Sequence, residues 1–304
     1  MAYAVYANTA NVWSVPLTSG STVTSASAVP VTTGEQEIEN VSVSRDGRWL
    51  LYDSNVAGNS DAYRVPLAGG LRASGAPERI TTDPADDFAP ELSPDGTEVA
   101  FHSWRAGSRD IWVQPLDGRS TERVTSAPQQ EWLPVWSPDG RALAYEGFTT
   151  GSVLRTTWIA RRTANGEWGR PVRRLAPASW PAWSPDGRWL AFATGVAGGS
   201  LGVVPVDSGP ARIVLAAAQG GMTGAEKPQW SPDGRTLYFK SHDARGAASI
   251  WSVPVAGGTP HLLVRLDDPA RPSYRPQWAF GNGREYFAID DRQSDLWVME
   301  ASAR

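Results

Sequence analysis

The chain has 304 residues, no cysteine, and 28 Lys and Arg against 32 Asp and Glu, for a formal net charge of -4. Thiolate nucleophiles, disulfides and thiolate metal sites are therefore excluded, and with no basic run to meet a phosphate backbone, nucleic acid is not expected as a direct partner. No window approaches 18 uninterrupted apolar residues, and the start, MAYAVYANTANVW, lacks a basic lead followed by an apolar core. Neither a spanning helix nor a signal peptide is expected, and the compartment is left open.

With 15 Trp, 30 Gly and 24 Pro the composition suits many short strands joined by turns. In chain order, a strand pattern NVWSVPL begins at Asn11 and a turn-plus-strand VSRDGRWLLYDS at Val43. DAYRVPL follows from Asp61 and RITT from Arg79. The cycle then returns as LSPDGTEVAFHS (Leu92), DIWVQPL (Asp110) and RVTS (Arg123), and as WSPDGRALAYEG (Trp136), TTWIARR (Thr156) and RRLA (Arg173). WSPDGRWLAFAT (Trp183) precedes LGVVPVD (Leu201), and WSPDGRTLYFKS (Trp230) precedes SIWSVPV (Ser249). WAFGNGREYFAI (Trp278) and DLWVMEA (Asp295) close the series.

The turn glycines fall at Gly47, Gly96, Gly140, Gly187, Gly234 and Gly283, spacings of 49, 44, 47, 47 and 49 residues. Such a period means a propeller blade or a helical solenoid. The alternating LAY, VAF, LAF and LYF runs, with no 3.6-residue pattern between them, choose the propeller. Pro-Asp-Gly makes the hairpin: Pro presets φ, Asp binds following amides and Gly takes positive φ. The fold class is thus all-β, a β-propeller of four-stranded antiparallel blades. Second and third strands recur seven times but first and fourth strands six times. This predicts seven blades with incomplete terminal ones, or else six, with Ala28 to Thr33 completing the C-terminal blade and the preceding segments as a flap. Residues 1–304 read as a single domain, and a start in mid-repeat is what a segment of a longer protein would show.

WSPDGRALAYEG followed by a DIWVQPL-type strand resembles the TolB-like propeller repeat, also found in propellers of prolyl-oligopeptidase-type peptidases and of bacterial regulators. The resemblance spans Tyr3 to Met299 and rests on turn and packing positions. It implies the fold and a protein partner at one face, and transfers no binding residue.

Uniform turns occupy one face of such a ring, and variable links the other, where binding residues usually sit. Just before each first strand the links place Asn40, Phe88, Trp132, Trp180, Lys227 and Arg275, with Tyr274 beside the last. Phe88, Trp132, Trp180, Lys227, Tyr274 and Arg275 are the candidate binding residues, a ring of aromatics and charges suited to a peptide or small polar ligand. The competing reading makes the aromatics plugs between blades.

Other patterns carry less. Asp53, His102, Glu146 and Lys240 hold equivalent positions at the ends of second strands, but such points on neighbouring blades diverge too far for metal ligation. Gly198 to Gly202 spells GxSxG without the helix of a hydrolase elbow. Asp61, Asp110 and Asp295 read as strand-exit groups, Asp86-Asp87 and Asp267-Asp268 as loop acids, and His242 and His261 as scattered histidines. No catalytic residue, metal or cofactor is expected. The functional expectation is a monomeric, non-catalytic binding module for a protein segment or small ligand. The alternatives are a gating propeller of a serine peptidase and a propeller-type polysaccharide lyase.

Overall fold

A computed structural model describes residues 2–17, 22–69, 72–149, 151–152, 154–195, 199–217, 222–243, 246–268 and 277–298, with backbone only for 2–8 and 291–298. Six small antiparallel sheets form a β-propeller. The first five blades start with the innermost strands Val41–Val43, Asp87–Leu92, Gln130–Trp136, Ser179–Trp183 and Glu226–Trp230.

Each hairpin into the second strand is held by a small side-chain network. In the third blade the Ser137 hydroxyl donates to Asp139 Oδ1 at 2.6 Å and accepts the Ala142 N–H at 2.9 Å. Asp139 also accepts the Arg141 N–H, and Gly140 takes φ +69°. The same Ser-to-Asp bond recurs at Ser44, Ser93, Ser184 and Ser231. Those bonds favour the ionised acid, so Asp186 and Asp233 sit below the usual carboxylate range, chiefly through their serines. The sixth turn is built differently: Asn282 and Gly283, both at positive φ, join the paired residues Gly281 and Arg284, the two-residue Asn-Gly hairpin.

The tryptophan ahead of this turn joins blades. The indole N–H groups of Trp136, Trp183 and Trp230 donate to the carbonyls of Glu91, Val135 and Ala182 on the innermost strand of the preceding blade, at 3.1, 3.1 and 2.9 Å. Trp278 reaches back to Lys227 in the same way. Trp136 packs among Ala100, Ile111, Val113 and Leu143 of two adjacent blades. Each sheet thereby buries a face that it could not cover alone.

The ring closes by joining the chain ends. Trp278–Gly281 and Arg284–Val298 supply the first and second strands of the last blade, and Ala2–Pro16 and Val29–Pro30 supply its third and fourth. The six-blade count replaces seven. Asp295, opposite Val5, and Trp297, opposite Tyr3, lie on the far end of the second strand rather than on a third strand of another blade. Pairing the two ends satisfies both open edges at once, whereas a seventh sheet would lack its first and fourth strands. Val29–Pro30 completes the C-terminal blade, but the segment before it is that blade's third strand, not a flap. Between these strands, Val23–Thr24 adds a parallel strand to the outer edge of the fifth blade.

Trp136→Ala is expected to cost about 3–5 kcal/mol, since it opens a cavity at a blade junction. Trp189→Ala, at a side chain 37% exposed, is expected to cost within about 0.5 kcal/mol. Urea unfolding of both variants measures the contrast.

Candidate functional site

In four blades the innermost strand carries a register shift. At each shift a residue other than glycine takes left-handed φ: Ala89 (54°), Leu133 (52°), Trp180 (53°) and Lys227 (40°). A bulge turns an amide out of the ladder, and burying that amide unbonded would be costly. In three of the four the preceding blade supplies the acceptor. Asp53 Oδ2 accepts the Ala89 N–H at 3.0 Å, His102 Nδ1 the Leu133 N–H at 3.4 Å, and Glu146 Oε1 the Trp180 N–H at 2.6 Å.

The side chains that end the second strands are therefore blade-to-blade connectors. Asp53 also accepts the Glu39 and Asn40 N–H groups. Burial raises Asp53 to about 6 and Glu146 to about 7, despite these hydrogen bonds. Burial, with the nearby Arg109, keeps His102 neutral and well below its ordinary value. Lys240, the fourth of the series, is fully buried and lowered to about 8 by desolvation, with Glu285 and Glu226 opposing that shift. Among the described residues no cluster of His, Asp and Glu is placed to hold a metal ion.

Above these connectors, on the face opposite the Ser-Pro-Asp-Gly turns, lies a cavity of about 490 Å³ at the channel mouth. Asn40, Phe88, Trp132 and Trp180 all reach its wall. Phe88 stacks on His102 with ring centroids 5.7 Å apart and meets Trp104 edge-on at 5.8 Å. The Trp132 indole N–H donates to Glu146 Oε2 at 2.9 Å, and its ring tilts against Phe148 at 5.1 Å. Trp180 is nearly buried, so it serves as packing as well as lining.

Two arginines complete the wall. The Arg109 guanidinium lies 3.9 Å from the Trp104 ring centre and 5.1 Å from that of Trp132. Arg155 lies 3.7 Å from Phe148 and 4.7 Å from the same Trp132. Both precede third strands, Asp110–Pro115 and Thr156–Arg161, at matching positions of adjacent blades. The links held the signal for Phe88 and Trp132. Arg109 and Trp104 sit in the hairpin WRAGSRD, whose aromatic and basic content marked it as unlike the polar hairpins elsewhere.

Lys227 is set apart from this group. It faces the other half of the channel, a cavity of about 640 Å³ lined by the inner strands and turns. Burial lowers Lys227 to about 7 and raises Glu91 in the same cavity to about 7, each moderating the other's shift. Phe88 and Trp132 lie one residue before the left-handed position, whereas Trp180 and Lys227 occupy it. The backbone therefore sends them in different directions. Tyr274 and Arg275 lie outside the described residues. On the turn face Arg45, which stands where the next four turns have Pro, crosses the ring to donate to the carbonyls of Pro138 and Pro185 at 3.3 and 3.1 Å.

The remaining patterns are structural. Ser200 Oγ accepts the Ala217 N–H and is followed by the strand Leu201–Pro205, not by a helix. Asp61 pairs with Arg79 and Asp110 with Arg123 across third and fourth strands. Asp87 holds Arg105 through both oxygens, Asp86 accepts the Ser60 N–H, and the Asp268 N–H bonds Ser25. His242 is half-buried 3.9 Å from Glu226, and His261 is exposed.

Glu146 gives the wall a pH signature. Its folded form keeps the proton to about pH 7, whereas an unperturbed glutamate releases it near 4.5, so this group's stabilisation falls as pH rises between those values. Thermal unfolding from pH 4.5 to 8 is expected to show wild type losing roughly 2 kcal/mol relative to Glu146→Gln. The glutamine retains an acceptor for Trp180 and has no proton to lose. Parallel curves would contradict this.

No family model matches the chain. A curated relative, the uncharacterized protein Atu1656 of Agrobacterium fabrum, is 35% identical over 87 residues, which are 29% of this chain and 27% of that protein. This chain thus matches under a third of that relative's length. Among solved structures, a TolB-type protein from Agrobacterium tumefaciens superposes with TM-score 0.68 at 21% identity, covering 94% of this chain and 99% of that one. TolB from Acinetobacter baumannii gives 0.61 at 19% identity, covering 82% and 58%. Lyase, peptidase and gluconolactonase propellers also share the shape. The fold is that of TolB-like β-propellers, shared by TolB proteins and by enzymes.

Proposed function

We propose that the chain is a TolB-like-repeat propeller acting as a non-catalytic binding module, which holds a protein segment or small ligand at the mouth opposite the turns. The observation that carries this reading is how the mouth uses its titratable groups. His102 and Glu146 line the cavity, yet their acceptor atoms are engaged with the Leu133 and Trp180 amides, and Glu146 also takes the Trp132 indole. Their shifted protonation follows from burial at a blade junction. The faces of Phe88, Trp104 and Trp132, with two arginines, are left as the contact surface. Aromatic rings and guanidinium groups are the side chains that most often dominate recognition surfaces. On the turn face Arg45 bridges the ring, which favours approach from the mouth.

Catalysis is the competing reading, favoured by one observation: Glu146, held near pH 7, shares a cavity with His102. A photo-crosslinking residue at position 88, and separately at position 45, tests both. Adducts formed from position 88 and lost on Trp132→Ala are expected. Adducts from position 45 alone would overturn the assignment of the mouth. Turnover of a bound carbohydrate, ester or peptide that disappears in Glu146→Gln would overturn the non-catalytic reading.

A further inference from the structure

We infer that the ligand of the mouth cavity carries a carboxylate, clamped between Arg109 and Arg155, with a flat apolar body lying against Phe88 and the indoles; this rests on the reading of the mouth as a binding site.

The first observation is a missing partner. Elsewhere in the ring arginines at comparable depth have acceptors: Arg64 pairs with Glu78, Arg105 with Asp87 and Arg162 with Glu98, and the buried Arg284 bonds Ser14. Arg109 and Arg155 form no ion pair among the described residues. Nε of Arg109, and Nε and Nη1 of Arg155, are buried without any hydrogen-bond acceptor. A guanidinium held among rings without an acceptor for these nitrogens is poorly solvated, and a carboxylate bound to its remaining N–H groups, which are not enclosed in this way, would offset that cost.

The second is that these two unpaired cations share one indole. Both lie against Trp132. Repulsion between them, added to burial, lowers Arg109 to about 10. Stacking on Trp104 and Phe148 fixes each plane, so the guanidinium forks are held in place before a ligand arrives.

The carboxylates of the wall do not fill this role. Glu146 directs one oxygen to the Trp180 amide and the other to the Trp132 indole. Glu39 lies on the rim and acts on Arg109 only at longer range. Their presence also selects among anions. A phosphate dianion would meet the Glu39 carboxylate and a wall of rings with few donors for a third oxygen. A planar carboxylate needs only the paired N–H groups of a guanidinium. The 490 Å³ of space and the rings of Phe88, Trp104 and Trp132 suit an aromatic or branched apolar body beside it.

Two sources share this chemistry, a free aromatic acid and a polypeptide ending in an apolar residue. Calorimetry on the full chain with N-acetyl-phenylalanine, its primary amide, phenyl phosphate, and a tetrapeptide ending in phenylalanine with a free or amidated C-terminus separates them. The acids are expected to bind about ten-fold or more tightly than their amides, with the margin shrinking in high salt. Arg109→Gln and Arg155→Gln should each remove most of that preference, with the unfolding temperature unchanged or raised. Tighter binding of the tetrapeptide acid identifies a chain end as the ligand type, and equal binding identifies the free acid. Equal affinity for acid and amide, a preference that survives the double variant, tighter binding of phenyl phosphate, or no binding of any probe would overturn the inference. If the amides bind and are lost on Trp132→Ala, the mouth reading stands without the carboxylate; if no probe depends on Trp132, the mouth reading itself fails.

Discussion

A sheet of four short strands has two faces and two edges, and alone it cannot cover any of them. The constraint on which this structure depends is that every blade must borrow cover from the next, all the way around. Two interactions supply that cover, both of them at the two junctions of the third and fourth blades with the blades before them, and one or the other at three more. An indole from one blade donates to a backbone carbonyl of the blade before, as Trp136 does to Glu91 and Trp230 to Ala182. Farther along the same strand, a polar side chain of the preceding blade catches the amide turned out by a bulge, as Asp53 does for Ala89. One bond lies toward the turn face and the other toward the mouth, so the inner strands of the third and fourth blades are pinned at both ends.

The junctions explain why strained backbone and buried charge gather around the channel. A left-handed Leu133 or Trp180 is unfavourable by itself, on the order of 1–3 kcal/mol, and persists only where surrounding bonds fix it. His102 and Glu146 provide those bonds by giving up solvation, and their shifted protonation follows. For His102 and Glu146 the shift is accounted for by burial at the blade junctions. The arginines beside them are not, and this contrast separates the parts of the mouth that hold the ring together from the parts that face outward.

Closure is the remaining demand. The last blade takes two strands from each end of the chain, with Trp13 opposite Phe287 and Pro30 on its other side. Arg284 donates to Ser14 across this seam, and Asn282 donates to the Gly47 carbonyl of the first blade. Because the segment carrying Val23–Thr24 also lies along the fifth blade, the N-terminal stretch ties two blades together.

The repeat was legible in the sequence because its physics is local. A Ser-Pro-Asp-Gly turn is specified by the φ of Pro, the reach of Asp and the freedom of Gly, and alternation marks the strand that follows it. Phe88, Trp132 and Trp180 could be placed at the mouth because they stand seven or eight residues before the glycines of those turns. The number of blades could not be read this way. Whether DLWVMEA begins a new sheet or prolongs an old strand depends on pairing with Ala2 to Val5, nearly the whole chain away. The roles of Asp53, His102 and Glu146 were hidden for the same reason, since each answers to an amide in another repeat. So was the meeting of Arg109 and Arg155 on Trp132: each lies in an ordinary hairpin, and only the curvature of the ring brings the two cations to one ring system. Local sequence fixes the conformations that depend on neighbouring residues, whereas ring closure and unpaired charge depend on which repeats become adjacent in space.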